Sequence, residues 1–152
     1  MSSFKNTFGV VIASAILCAA IVFVFTGNAP KEMLINDAYA RANGASAKAG
    51  GAFMQIRNNT GQDDRLIAVK SPIAMAEIHT HIHEADGVMR MVKLEEGIAI
   101  AAGETIELKR GGDHLMLMGL QRGLVQGDMV DFTLTFEHAG DVKLTVPVDL
   151  NR

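Results

Sequence analysis

Most of the side chains in this chain that could do chemistry fall in two short segments. One is Glu77-Ile78-His79-Thr80-His81-Ile82-His83-Glu84-Ala85-Asp86-Gly87-Val88-Met89-Arg90-Met91, and the other is Asp113-His114-Leu115-Met116-Leu117-Met118. Four of the five histidines and four of the nine methionines lie there. A single methionine usually fills a gap in a core, and a single histidine is usually structural or solvated. Clustering of both types is the composition of a soft-metal site, because thioethers favour Cu(I) over harder ions and imidazole serves most transition metals.

Side chains alternate faces along a strand, so an extended backbone puts His79, His81 and His83 on one face and Ile78, Thr80 and Ile82 on the other. The same rule places His114, Met116 and Met118 together, with Leu115 and Leu117 opposite. The first segment also reads as a hairpin with Glu84-Ala85-Asp86 at its tip. Pairing His83 with Gly87 sets His79 opposite Met91 and His81 opposite Met89. His114 and Met116 then add a second imidazole and a second thioether from a separate strand. The expected ligands are His79, Met91, His114 and Met116, with His81, His83, Met89 and Met118 as further candidates. An uncharged set of two nitrogens and two sulfurs suits monovalent Cu(I), whereas Zn(II) prefers charged or all-imidazole ligands. Cu(II) is a candidate for the histidine-rich strand. Met118 lies more than about 12 Å along a regular strand from His114, and Met116 about 7 Å, which favours Met116.

The rest of the chain bounds this reading. One domain of ordinary size fits 152 residues. A net charge of −3 with no basic run leaves no footprint for nucleic acid. The one cysteine, Cys18, sits in an apolar run. The remainder therefore has no thiolate, which excludes a blue-copper centre and a dithiol redox role. Met54, Met75 and Met129 are expected in the core, and His138 on the surface.

From Phe8 to Phe25 run eighteen uncharged residues after Lys5, just enough as a helix for a hydrocarbon core of roughly 30 Å. Residues 1–30 are expected to be a signal peptide or membrane anchor with its linker. Pro30 would follow a cut at Ala29, and Ala38-Tyr39-Ala40 lies too far beyond the run, so an uncleaved anchor is preferred. Cys18 follows Leu17 rather than a small residue, which disfavours a lipoprotein cleavage site. Residues 31–152 are expected to form one all-β domain with strands at Ile35 to Ala42, Ala52 to Arg57, Arg65 to Val69, Ala76 to His83, Val88 to Leu94, Thr105 to Leu108, His114 to Gly119, Val130 to Glu137 and Val142 to Val148. Gly50-Gly51, Asn58-Asn59-Thr60-Gly61, Asp86-Gly87, Gly111-Gly112 and Ala139-Gly140-Asp141 are the expected turns. So many short strands imply a Greek-key β-sandwich behind an N-terminal hydrophobic helix.

In this order, the residues resemble the PCu(A)C family of periplasmic copper chaperones, whose pattern is a His, about ten residues, a Met, about twenty-one residues, then His-x-Met. Here the pattern runs His79, eleven residues, Met91, twenty-two residues, His114-Leu115-Met116. Asp37-Ala38-Tyr39-Ala40-Arg41-Ala42, Gly87-Val88-Met89-Arg90-Met91 and Ala102-Gly103-Glu104-Thr105-Ile106-Glu107-Leu108-Lys109 are also phrases typical of that family. The resemblance spans about Ile35 to Leu150. Each spacer is one residue longer than the pattern, which places insertions near Ala85 and Glu96 and leaves both Met89 and Met91 open as the ligand. The resemblance implies a cupredoxin-like sandwich that carries Cu(I) in the periplasm, tethered to the inner membrane if the N-terminal helix is retained. It also implies delivery to a copper-accepting oxidase subunit, at the dinuclear copper centre of cytochrome c oxidase, or to another copper assembly factor. Two other readings compete. One is a zinc or cupin-like enzyme on the His-x-His-x-His strand with Glu77 or Glu84 as acid or base, and the other is a structural sandwich with no metal.

Overall fold

The structure, a computed structural model, describes residues 31–44 and 46–152. The apolar segment Phe8 to Phe25, with the expected helix, its anchor or signal role and Cys18, lies outside the described residues. The described chain forms ten strands: β1 (Met33–Ala42), β2 (Ala49–Asn58), β3 (Asp64–Lys70), β4 (Met75–His83), β5 (Met89–Lys93), β6 (Ile98–Ile100), β7 (Thr105–Leu108), β8 (His114–Met118), β9 (Met129–Phe136) and β10 (Gly140–Pro147). One sheet has the order β1-β2-β8-β4-β5, with β7 also pairing β2, and the second has the order β10-β9-β3-β6.

Alternation of apolar and polar residues explains why these two sheets face each other. Along β9, Val130, Phe132, Leu134 and Phe136 are buried while the residues between them are not. On β8 the buried leucines are Leu115 and Leu117, which join Ile56, Leu66, Ile100 and Leu108 in the inter-sheet core. Each such side chain contributes about 1.5–3 kcal/mol on burial. Asp64, at the head of β3, is 5% exposed. It accepts the backbone N–H groups of Arg65 at 2.7 Å, His138 at 3.0 Å and Ala139 at 2.9 Å, which pins β3 to the β9–β10 turn. His138 itself is exposed, as expected.

All nine expected strands are present, with ends displaced by up to three residues. The tenth, β6, pairs with β3; at three residues it is too short to show an alternating pattern. Gly50 and Gly51 are not a turn but part of β2. A Cβ on Gly50 would lie 2.8 Å from the Arg41 carbonyl oxygen, so glycine here permits close approach of β1. Met54 is buried at 2%, but Met75 and Met129 are 61% and 59% exposed, against the expectation of core positions. Both begin their strands on the solvent side of the alternation.

The β4–β5 hairpin corrects the expected register. His83 pairs with Met89, His81 with Met91 and His79 with Lys93, two residues away from a pairing of His83 with Gly87. The physical reason is the tip. Glu84 N–H donates to the Val88 carbonyl and Gly87 N–H to that of Glu84, while Gly87 adopts φ +83°. The loop is therefore Ala85-Asp86-Gly87, closed by a left-handed glycine. A two-residue shift leaves each side chain on its original face and changes only its partner.

Candidate metal centre

The core lies on one face of the first sheet, and the histidines and methionines of β4, β5 and β8 lie on the other. Cross-strand pairs share a face, so the outer surface can be followed rung by rung. Met116 of β8 lies between Gly51 and Glu77, and His114 is opposite His79. Beyond the end of β8, His81 faces Met91, and one rung further out His83 faces Met89. At the other end Met118 lies between Ala49 and Met75.

On this face a cleft of about 640 Å³ has His81, Met91, His114 and Met116 among its lining residues. Gly51 contributes no side chain there, and Phe53, Arg41 and Arg110 form other parts of the wall. Three of the four expected ligands thus meet, joined by His81. His79 is not among the lining residues. His83, Met89 and Met118 also lie outside the cleft.

His114 is 4% exposed, and its Nδ1 lies 2.8 Å from the Gly112 carbonyl. A carbonyl only accepts, so Nδ1 carries the proton and Nε2 keeps its lone pair. Burial lowers the pKa of His114 below the ordinary histidine value; the Gly112 contact opposes this and the neighbouring His81 and His79 reinforce it. The ring is therefore neutral near pH 7, the form that binds metals. His81 stacks on it with ring centroids 5.0 Å apart, and its Nδ1 is 3.4 Å from the same carbonyl. One backbone oxygen thus lies beside the Nδ1 atoms of both imidazoles.

His79 is tied differently. It donates Nε2–H to Glu77 Oε2 at 3.1 Å, while its Nδ1 is buried without a hydrogen-bond partner. Its ring centroid is 6.2 Å from that of His114. Glu77 also accepts from Lys93 at 3.4 Å, and its pKa is lowered chiefly by the His79 contact. Lys93 is raised, first by Glu95 and then by Glu77. Among the described residues no group of three or more His, Cys, Asp or Glu is placed to hold an ion. A site here has to use the thioethers.

Sequence reasoning missed the Gly112 carbonyl and the cleft walls at Arg41, Phe53 and Arg110. The first is a backbone atom with no residue-type signal. The walls come from strands and loops that only the fold brings near, although Gly51 was visible as a glycine.

Residues 33–148 match the model of a family described as putative lipoprotein LpqE-like. The chain belongs to the LpqE-like family. A curated relative from Leifsonia xyli subsp. xyli, the putative lipoprotein Lxx21020, is 31% identical over 116 residues, covering 75% of this chain and 68% of the relative. Among solved structures, Cu(I)-bound DR1885 from Deinococcus radiodurans is 28% identical, with a TM-score of 0.62 over 82% of this chain and 83% of that one. The apo PCuAC domain of PmoF1 is 26% identical, with a TM-score of 0.62 over 78% and 94%. The copper-bound PCuAC domain of PmoF2, 24% identical with a TM-score of 0.64 over 78% and 93%, shares the fold. The PCu(A)C resemblance and the cupredoxin-like β-sandwich expected from the sequence are both borne out.

Proposed function

We propose that this LpqE-like chain is a copper carrier that holds one Cu(I) through His81, Met91, His114 and Met116 and performs no catalysis of its own. The observation that carries this reading is the single cleft into which two imidazoles and two thioethers open. Uncharged nitrogen and sulfur donors suit a soft monovalent cargo. A catalytic metal would need a positioned general base beside an open coordination site. Glu77, the carboxylate opposite Met116 across β4 and β8, is engaged by His79 and Lys93. A cleft far larger than one ion leaves room for an incoming ligand, as hand-over to another protein requires.

The finer parts of the reading rest on the family. They are a Cu(I)-accepting oxidase subunit or other copper assembly factor as partner, and a location outside the inner membrane, held there through residues 1–30. The lipoprotein description of the family supports an extracytoplasmic, membrane-associated protein. X-ray absorption of the Cu(I)-loaded full chain tests the ligand set. About two sulfur and two nitrogen neighbours are expected for soft His/Met ligation; a shell without sulfur would overturn it.

A further inference from the structure

The rung outside the cleft repeats the one inside it. His83 faces Met89 across β4 and β5 just as His81 faces Met91, on the same face of the sheet, and both residues are exposed, Met89 at 51%. Exposing a methionine there gains nothing for the fold. His83 makes no hydrogen bond or ion pair among the described residues. β5 ends the sheet, so this rung can be approached both from the open edge and from the hairpin tip. On the other face of the hairpin, Arg90 pairs with Glu84 at 2.9 Å, holding the tip in register.

We propose that His83 and Met89 form a second, transient Cu(I) site through which the ion enters and leaves the cleft. The proposal rests on the copper-carrier reading above. Directly opposed strand residues have Cβ atoms about 4.5–5.5 Å apart, a span that an imidazole nitrogen and a thioether sulfur close around one ion. Successive rungs on one face are about 6.8 Å apart, so a Cu(I) bound outside is within one side-chain swing of His81 and Met91. Transfer is ligand exchange alone: a neutral imidazole and thioether release the ion as a neutral imidazole and thioether take it up. No electron or proton moves, and the charge on copper is unchanged. Two donors hold the ion less firmly than the four in the cleft, so the equilibrium resting place is the cleft and the outer rung governs the rate.

The test uses the full chain carrying both His83→Gln and Met89→Leu, with Cu(I) supplied or withdrawn as its bicinchoninate complex under reducing conditions. The chelator absorbance is followed in stopped flow and at equilibrium. The equilibrium partition should stay within about twofold of the parent, while transfer slows about tenfold in both directions, equivalent to ~1.4 kcal/mol in the barrier. Unchanged rates would overturn the proposal. So would a fall in equilibrium affinity as large as the fall in rate, since the pair would then belong to the resting site. A parent chain that takes up no Cu(I) would refute the carrier reading itself and this inference with it.

Discussion

Replacing His81 and His79 separately by glutamine discriminates between the two histidines of β4 that could join His114 on the ion. The His81 Nδ1 contact with Gly112 is 3.4 Å long, at the limit of a hydrogen bond, so its loss should cost about 0.5 kcal/mol or less. The melting temperature should then move by about 2 °C. The copper effect should be far larger, because His81 is one of the four donors of the proposed site. Losing a residue that merely hydrogen-bonds a metal ligand already costs about 10–100-fold in metal affinity, so loss of a ligand should cost at least about 100-fold, or ~2.7 kcal/mol. His79→Gln keeps an N–H for Glu77, now 3.1 Å from the imidazole, and should lower affinity by no more than about tenfold. Cu(I) competition against bicinchoninate, paired with thermal melts, reads both quantities. If His79→Gln proved as damaging to Cu(I) as His81→Gln, the ion would belong on the His79–His114 rung, and the cleft assignment would fall.

The other predictions concern the remaining proposed ligands and the frame. Met116→Leu should lower Cu(I) affinity by at least about 100-fold, while Met118→Leu, one rung outside the cleft, should change it less than about threefold; both preserve side-chain volume, and the same competition assay compares them. Asp64→Asn should lower stability by about 2–3 kcal/mol, because the carboxylate is replaced opposite three N–H donors. Burial alone would raise the Asp64 pKa, but those donors lower it overall. Its stabilisation is therefore present above the unfolded value of about 3.9 and is lost as pH falls through the lower folded value, so melts of parent and variant should converge in acid. A Cu(I) chelator should leave the far-ultraviolet circular dichroism unchanged, because the apolar core lies on the opposite face of the sheet from the cleft; loss of the β signal would refute that separation.

Strand positions and faces were legible because alternation needs no knowledge of partners: Leu115 and Leu117 could only go inward if His114 and Met116 went outward. Register was not. Closing the hairpin at Glu84-Ala85-Asp86 or at Ala85-Asp86-Gly87 preserves every face, and the choice rests on the left-handed conformation that Gly87 adopts. That one difference exchanges His79 for His81 opposite Met91. The glycine pair at 50 and 51 misled for a related reason. Glycine marks both turns and close backbone approach, and only the neighbouring β1 carbonyl distinguishes them.

β5 is paired along one side only, and four of its five residues are exposed. An edge strand of this kind opens at a lower free energy than the strands inside the sheet. Met91 rides on that strand, whereas His114 and Met116 belong to β8, which is held between β2 and β4. An ion gripped by all of them would fasten a loose margin to a fixed interior. Loading would then be recorded as slower amide exchange along Met89–Lys93, because a ligand bound only to the closed form adds its binding free energy to the cost of opening. The same linkage runs in reverse: a protein that pairs with the free margin of β5 and draws it outward would weaken the grip on the cargo at the moment of contact.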